Sequence, residues 1–252
     1  MSRPVNIERR KQIAQLIINK GTVSARDLAE EFNVSTETIR KDLIFLEENK
    51  IITKGHGGVT VSNIYLESPF SIKSSENIEA KARIAEKAVE LIPQNGVVFL
   101  DSGSTVLQIA KLLNLKEDLV IITNSLAVAE VLSNTKNKLL VTGGQLRSKS
   151  MSFVGPWATQ AIDSLHVDVA FMGCDGFHAE GPCIRSYREV EVKQKIIANA
   201  KKTILVCDSS KFNVEGLYRF ADFKRLGCML TDSSLPPQMA KTIPTDFQVV
   251  IA

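Results

Sequence analysis

Apolar residues recur with helical spacing three times near the start of the chain, and a short extended stretch follows. The helical stripes cover residues 13–17, 28–32 and 39–46. Ser24 and Ser35 stand ahead of the second and third stripes, where hydroxyl side chains cap the N-termini of helices. Residues 51–61 have the pattern of a β-hairpin around a glycine-rich turn. Three helices followed by a hairpin predict a winged helix-turn-helix domain over residues 1–61.

The pattern changes after residue 77 to short apolar runs that alternate with amphipathic stretches. Strands are predicted at 97–100, 119–122, 138–141, 167–172, 203–206, 226–230 and 247–251. Helices are predicted at 84–91, 104–113, 125–133, 156–164 and 187–200. Uninterrupted apolar runs are typical of parallel strands that are buried on both faces. The alternation predicts an open, mainly parallel α/β sheet over residues 78–252, joined to the first domain by a linker over residues 62–77.

The chain has 252 residues, 44% of them hydrophobic, and a formal net charge of +3. Its apolar runs are far shorter than the roughly 20 residues that a membrane-spanning helix needs. Its first residues contain no apolar stretch typical of a secretory signal. The four cysteines form no C-x-x-C pair, which favours reduced, buried thiols over disulfides or zinc ligands. We therefore expect a cytoplasmic protein without a metal or other cofactor.

The third predicted helix has the residue types of a helix that reads the major groove of DNA. In a helix-turn-helix, the second of the two helices enters that groove and its N-terminal side chains contact base edges. Hydroxyls at the helix start hold phosphate, and an arginine binds guanine through two hydrogen bonds. A solvated charged face would show similar residue types, so the helix alone leaves both interpretations open. The candidate DNA-binding residues are Arg9, Ser24, Ser35, Thr36, Glu37, Thr38, Arg40, Lys41, Lys54 and His56.

Polar clusters follow five of the predicted strands. Each cluster alone is ordinary turn chemistry, but ligands of open α/β sheets bind outside the carboxyl ends of the strands, where the five clusters would meet. Hydroxyls and a lysine suit a phosphate group, and carboxylates and an amide suit sugar hydroxyls. A solvated helix face would also explain the charged residues after residue 187. The candidate effector-binding residues are Asp101, Ser102, Gly103, Ser104, Thr105, Thr123, Asn124, Ser125, Gly143, Gly144, Asp175, Gly176, Glu189, Lys193, Asp208 and Lys211.

Two regions of the chain resemble the DeoR family of transcriptional regulators. Residues 9–43 are similar to its helix-turn-helix signature, in the register of Arg9, Ile13, Ile17, Ser35, Thr38, Ile39, Arg40, Lys41, Asp42 and Leu43. Residues 54–59 resemble its wing, with Lys54 in place of the usual arginine. Residues 67–211 resemble its sensor domain, both in the polar clusters at the strand ends and in the preceding residues Pro69, Phe70, Lys73, Asn77 and Lys81.

The resemblance implies a winged helix-turn-helix followed by a Rossmann-like domain similar to ribose-phosphate isomerase. It also implies a regulator of a carbohydrate-metabolism operon, most often a repressor, that binds double-stranded operator DNA at the nucleoid. A phosphorylated sugar would be its effector. A homodimer or homotetramer would place two recognition helices on one operator. Residues 181–185 depart from the family pattern in a loop that bears on which sugar is bound.

Two other functions are compatible with parts of the sequence. An isomerase-like enzyme acting on sugar phosphates would use Asp175, Glu189 or Glu191, and Lys193 as acid and base groups, but it leaves the first 61 residues without a role. The second of these functions is that of a protein-interaction adaptor. Turnover of ribose 5-phosphate would favour the enzyme, and binding of DNA from upstream of the chain's own gene would exclude the adaptor.

Overall fold

The computed structural model describes residues 5–20, 22–48, 52–55, 58–61, 67–178, 180–214, 216–235 and 243–252. The chain divides into two compact units, Met1–Ser68 and Pro69–Ala252. Among the helices in the described parts of the chain, none is long and apolar enough to cross a lipid bilayer.

The first unit is a winged helix-turn-helix. Its elements are α1 (Val5–Lys20), α2 (Ala25–Glu31), α3 (Thr36–Glu48), β1 (Ile52–Gly55) and β2 (Gly58–Val61). The predicted apolar stripes meet in one buried core, which contains Ile13, Leu28, Ile39, Leu43 and Ile52. The two strands pair as an antiparallel hairpin, and backbone hydrogen bonds between Val23 and Val59 attach that hairpin to the helices. The predicted fold of this part of the chain is confirmed.

Hydroxyl caps fix where α2 and α3 begin. Ser24 Oγ accepts a hydrogen bond from the backbone N–H of Asp27, and Ser35 Oγ accepts one from the N–H of Thr38, each at 3.1 Å. Each bond satisfies an N–H group that has no partner within its own helix. The link between the two helices turns at Asn33, whose φ of 49° is a conformation that asparagine adopts more readily than most residues.

A buried carboxylate joins α1 to α3. Asp42 is almost completely buried, and its two oxygens accept hydrogen bonds from Nε of Arg9 at 2.6 Å and Nε of Arg10 at 2.8 Å. A buried charge is stable only when such charge-assisted bonds compensate for its lost hydration. The two arginines therefore hold α3 against α1, and this contact determines which face of α3 remains exposed.

Replacing Asp42 by alanine removes both of these hydrogen bonds. We expect Asp42→Ala to lower the free energy of local unfolding of α3 by about 2–4 kcal/mol, because a hydrogen bond to a charged group contributes about 1.5–3 kcal/mol. Hydrogen exchange of the α3 amides in the full chain measures this change. Glu48→Ala, at an exposed position of the same helix, is the control. Equal protection of α3 in the two variants would contradict the role given to Asp42.

The second unit is an α/β domain around a seven-stranded parallel sheet. Its strands are β3 (Val97–Leu100), β4 (Val120–Thr123), β5 (Lys138–Val141), β6 (Gln145–Arg147), β7 (Ser152–Val154), β8 (Val167–Met172), β9 (Gly176–His178), β10 (Gly181–Ile184), β11 (Ala200–Val206), β12 (Tyr218–Arg219), β13 (Cys228–Thr231) and β14 (Val249–Ile251). Its helices are α4 (Phe70–Ser75), α5 (Ile78–Val89), α6 (Ser104–Leu113), α7 (Leu126–Val131), α8 (Pro156–Asp163) and α9 (Tyr187–Asn199). The order in the large sheet is β14-β13-β11-β8-β3-β4-β5.

Apolar side chains of the central strands alternate between two cores, one on each face of the sheet. Val98 and Leu100 pack with α5, α6 and α7, whereas Phe99 between them packs with α8 and α9. Because both faces are buried, strands such as β3 are continuous apolar runs rather than alternating ones. The predicted class, an open parallel sheet covered by helices, is confirmed.

The sequence pattern does not predict several short elements of this unit. They are the β6–β7 hairpin, the antiparallel sheet β12-β10-β9, and α4. These elements have two to six residues and contain neither a continuous apolar run nor a full period of apolar positions. The helix α4 lies within the range predicted as a linker, residues 62–77, and belongs to the second unit. Residues 62–66 of that range lie outside the described residues.

Candidate DNA-binding helix and effector site

The exposed face of α3 presents four of the candidate DNA-binding side chains to solvent. Thr36, Glu37, Arg40 and Lys41 are exposed, and the buried stripe of the helix packs into the core of the unit. Nη1 of Arg40 lies 3.9 Å from Oε2 of Glu37. An exposed ion pair of this kind is weak, so both side chains can turn to other partners. Together they offer a donor for guanine and an acceptor for the amino group of cytosine.

Other predicted DNA-binding residues have partners inside the unit. The hydroxyls of Ser35 and Thr38 are hydrogen-bonded to each other at 2.8 Å, and Arg9 binds Asp42. These side chains stabilise the helices, as Ser24 does for α2. Because these side chains already make hydrogen bonds within the unit, they have fewer donors available for DNA phosphates than the exposed side chains of α3. The side chains of the two predicted wing residues, Lys54 and His56, lie outside the described parts of the chain.

The carboxyl ends of the seven strands lie at one edge of the sheet because the strands are parallel. Asp101 follows β3, Asn124 follows β4 and Gly143 lies shortly after β5. Asp175 lies shortly after β8, and Asp208 shortly after β11. The five predicted polar clusters therefore lie along the same edge.

A buried ion pair lies near the middle of this edge. Oδ2 of Asp101 accepts hydrogen bonds from Nζ of Lys193, on α9, and from the N–H of Gly173 at 3.1 Å. The same Nζ donates to the carbonyl oxygen of Gly173 at 2.9 Å and lies 5.0 Å from the centre of the Phe220 ring. Burial acts to lower the pKa of Lys193, but the charges of Asp101 and Glu189 outweigh it and hold this pKa above its usual value. The lysine is therefore charged at neutral pH.

Glu189 lies one turn before Lys193 on α9 and is also buried. Its Oε1 accepts a hydrogen bond from the hydroxyl of Ser152 at 2.8 Å and lies 3.9 Å from Nη1 of Arg147. Glu191, two residues further along α9, is exposed. Of these two carboxylates, the structure brings only Glu189 to the carboxyl edge of the sheet.

Hydroxyl groups and helix starts supply donors beside the ion pair. Ser104 and Thr105 form the first turn of α6 and are buried, and the preceding Ser102 and Gly103 are half-buried. The N–H groups of a first helical turn favour an anion. By contrast, the hydroxyl of Thr123 donates to the carbonyl of Leu100 at 2.7 Å. Ser125 likewise serves as the cap of α7, so these last two hydroxyls have structural partners.

The predicted glycines allow close approaches of the backbone. A Cβ atom at Gly144 would lie 2.8 Å from the carbonyl oxygen of Val154, and one at Gly176 would lie 2.0 Å from that of Val214. Only glycine fits at either position without a shift of the backbone. Gly143 has a φ of +66° with no heavy atom near its missing Cβ, so it meets a conformational requirement rather than a packing one.

Asp175 and Asp208 are held by side chains from the start of the second unit. Nζ of Lys73, on α4, donates to Oδ1 of Asp175 at 2.6 Å. Nδ2 of Asn77 donates to Oδ1 of Asp208 at 2.9 Å, and the half-buried Lys211 lies one turn after Asp208. Reasoning from single clusters does not find Lys73 and Asn77 as site residues, since they lie more than a hundred positions before their partners. Their presence in the family resemblance is the one sequence signal that points to them.

Replacing Lys193 by methionine leaves Asp101 buried without its ammonium partner. We expect Lys193→Met to lower the free energy of unfolding of the second unit by about 3–5 kcal/mol, the usual cost of removing one partner of a buried ion pair. Lys195→Met is the matched control, because Lys195 lies on the same helix in a half-exposed pair with Asp163, 2.7 Å away, and such a pair contributes about 1 kcal/mol or less. Urea denaturation of both variants makes the comparison. A loss no larger than that of the control would show that the buried pair is not needed.

Two family models together match most of the chain. A DeoR-like helix-turn-helix domain matches residues 9–64, and a DeoR C-terminal sensor domain matches residues 76–233. The chain is 31% identical to the glycerol-3-phosphate regulon repressor of Escherichia coli K12, over 96% of each chain. It is 32% identical to the lactose phosphotransferase system repressor of Streptococcus mutans, over 89% of this chain and 91% of that protein.

A solved structure of ribose 5-phosphate isomerase A from Methanocaldococcus jannaschii is similar to the chain at 19% identity. The likeness has a TM-score of 0.41 and covers 54% of this chain and 55% of that one. The two family models and the curated repressors show which family the chain belongs to. The helix-turn-helix and the parallel sheet agree with that family. The chain belongs to the DeoR family of transcriptional regulators.

Proposed function

We propose that the chain is a transcriptional repressor of a carbohydrate-metabolism operon and that a phosphorylated sugar controls it. The observation that carries the proposal is the combination, in one chain, of an exposed α3 face in a helix-turn-helix with a buried polar edge in a sensor domain. Relatives named as repressors of a glycerol-3-phosphate regulon and of a lactose phosphotransferase system support it. The protein works at the nucleoid, in the cytoplasm.

The residues of α3 that read DNA bases are Glu37 and Arg40, with Thr36 and Lys41 beside them on the phosphates. Arginine paired with guanine is the commonest specific contact in the major groove. A single helix of this kind binds one half-site, so two copies of the chain bind one operator, as a homodimer or within a homotetramer.

The effector lies at the carboxyl edge of the sheet. Its phosphate binds at the first turn of α6, at Ser104 and Thr105, where N–H groups and hydroxyls are concentrated. Its hydroxyls donate to oxygens that lack donors: among the described residues, none donates a hydrogen bond to Oδ1 of Asp101 or Oδ1 of Asn124, and both atoms are buried. A buried acceptor without a donor is costly, so a ligand hydroxyl at this point gains a strong partner.

The chemistry of the edge favours binding over catalysis. A lysine acts as a base only in its neutral form, and Asp101 and Glu189 hold Lys193 in its charged form. Its ammonium donates to Asp101 and to the Gly173 carbonyl, which directs it into the protein. The isomerase-like alternative therefore has no free base at this position. Incubation with ribose 5-phosphate tests it, and turnover would restore the enzyme as the better interpretation.

Arg40→Ala removes the side chain that we assign to a guanine. We expect it to weaken binding to DNA from upstream of the chain's own gene by about 10- to 100-fold, the range of one bidentate base contact. Fluorescence anisotropy measures the dissociation constant. The matched control is Lys136→Ala, which removes the same charge from an exposed side chain of the second unit. Equal affinities of the two variants would contradict the placement of α3 in the major groove.

Asn124→Ser replaces the side-chain amide, which we assign to an effector hydroxyl, with a shorter hydroxyl group. We expect a phosphorylated sugar at about one hundred times its dissociation constant to raise the Tm of the unaltered protein by about 5 °C, and to raise that of Asn124→Ser much less. A panel of glycerol 3-phosphate and phosphorylated pentoses and hexoses supplies the ligands. Asn114→Ser, at an exposed asparagine of the same unit, is the control. Equal shifts in all three proteins would place the effector elsewhere.

A further inference from the structure

We infer that α4 transmits the state of the effector site to the DNA-binding unit, and that the ion pair of Lys73 with Asp175 is the contact that an effector breaks. The inference rests on the proposed function, since it describes how that site is coupled to DNA. The inference goes beyond the proposed function because it assigns a role to α4, a helix within the range that the sequence pattern predicts as a linker.

The position of α4 in the chain makes it a suitable transmitter. The first unit ends at Ser68, and α4 begins at Phe70. Only Pro69 lies between the last residue of the first unit and the first residue of α4, so α4 is the helix that joins the second unit to the first along the chain. Every other helix of the second unit is farther along the chain.

Polar contacts, rather than burial, hold α4 in place. The helix has only six residues and none of them is buried; Phe70 is partly buried against a core of the unit. A helix of this length is unstable in isolation. Elements with little buried apolar surface open more easily than the rest of a protein. The attachment of α4 is therefore sensitive to the loss of its polar contacts.

These polar contacts come from the surroundings of the effector site. The N–H of Phe70 donates to the carbonyl of Lys149 at 2.9 Å. Lys149 lies in the turn between β6 and β7, next to Ser150, whose hydroxyl is hydrogen-bonded to that of Ser152 at 2.8 Å. Ser152 in turn binds Glu189, one of the candidate effector residues. The start of α4 is thus connected to the effector edge through the β6–β7 hairpin.

The last turn of α4 is connected to the same edge more directly. Lys73 and Asp175 form an ion pair at 2.6 Å with side chains 18% and 12% exposed. The other oxygen of Asp175 accepts a hydrogen bond from the N–H of Arg185 at 3.1 Å. The buried Lys81, on α5, donates to the carbonyls of Lys73 and Glu76, each at 2.5 Å. Lys81 thus supports the backbone at the end of α4, whereas the ion pair with Asp175 involves a charged side chain of α4 itself.

Both members of the pair are groups that a phosphorylated sugar attracts. A sugar hydroxyl competes with Lys73 for the carboxylate of Asp175, and the phosphate at the first turn of α6 attracts the ammonium of Lys73. Burial acts to raise the pKa of Asp175, but Lys73 and the N–H of Arg185 outweigh it and hold this pKa below its usual value. The carboxylate is therefore charged at neutral pH, and the pair responds to a charged competitor.

Substitutions that break the pair test the inference without any effector. We expect Lys73→Met and Asp175→Asn each to accelerate hydrogen exchange of the α4 amides by about tenfold or more, while exchange in α5 and β3 stays unchanged. We also expect each to change the affinity for upstream DNA in the same direction by about tenfold, within the range of allosteric couplings. The double variant should change no more than the larger single variant. Lys87→Met, at a lysine in an exposed pair with Glu90 on α5, is the matched control.

Lys73→Arg keeps a cation opposite Asp175 and should leave both exchange and affinity close to those of the unaltered protein. Exchange of α4 and DNA affinity in the single variants equal to those of Lys87→Met would overturn the inference. Faster exchange of α4 with unchanged DNA affinity would also overturn it, because α4 would then open without consequence. If the unaltered protein binds none of its upstream DNA, the proposed function fails, and this coupling fails with it.

Discussion

The sensor unit depends on one buried charge pair. Lys193 reaches from α9 to the end of β3, where Asp101 accepts its hydrogen bond. It also holds the backbone of Gly173 at the end of β8. Removing two charges from water is costly, and only close geometry with additional hydrogen bonds compensates for it. This pair brings a helix and two neighbouring strand ends into one fixed arrangement, and the candidate effector groups are placed around it.

A related arrangement supports the DNA-binding unit. There a single carboxylate, Asp42, holds two arginines of α1. In both units, buried charges hold structural elements together. Other polar side chains are exposed, or have an oxygen that accepts no hydrogen bond from a described residue. The same chain thus contains polar residues of two kinds. Ser35 and Thr123 have hydrogen-bond partners within the fold, whereas Asn124 has a buried oxygen to which no described residue donates a hydrogen bond.

Periodicity in the sequence is sufficient to predict the large elements. The predicted helix at 104–113 and the predicted strands at 138–141 and 167–172 have the bounds that the structure shows. The helix is long, and each of the two strands is mainly apolar; both properties are local. The β6–β7 hairpin and α4 are neither, and their positions follow from contacts with distant parts of the chain. The hairpin predicted over residues 51–61 is also present, with strands at 52–55 and 58–61.

The candidate site is predictable to the extent that strand ends are predictable. Parallel strands bring their carboxyl ends to one edge, so Asp101, Asn124 and Asp208 follow from the strand assignments alone. Burial does not follow from them, and it is burial that separates Glu189 from Glu191 on the same helix. The pairing of Lys73 with Asp175 joins positions 102 residues apart, and no local pattern contains that information.

We propose that a small phosphorylated ligand and operator DNA bind to the same chain at separate sites and affect each other's binding. The most direct measurement is the reciprocal one: the dissociation constant of upstream DNA with and without a stabilising sugar phosphate, and that of the sugar phosphate with and without the DNA. We expect both constants to change by the same factor, about 5- to 150-fold, because coupling between two binding sites is thermodynamically reciprocal. A sugar phosphate that stabilises the protein but leaves its affinity for DNA unchanged would contradict the account.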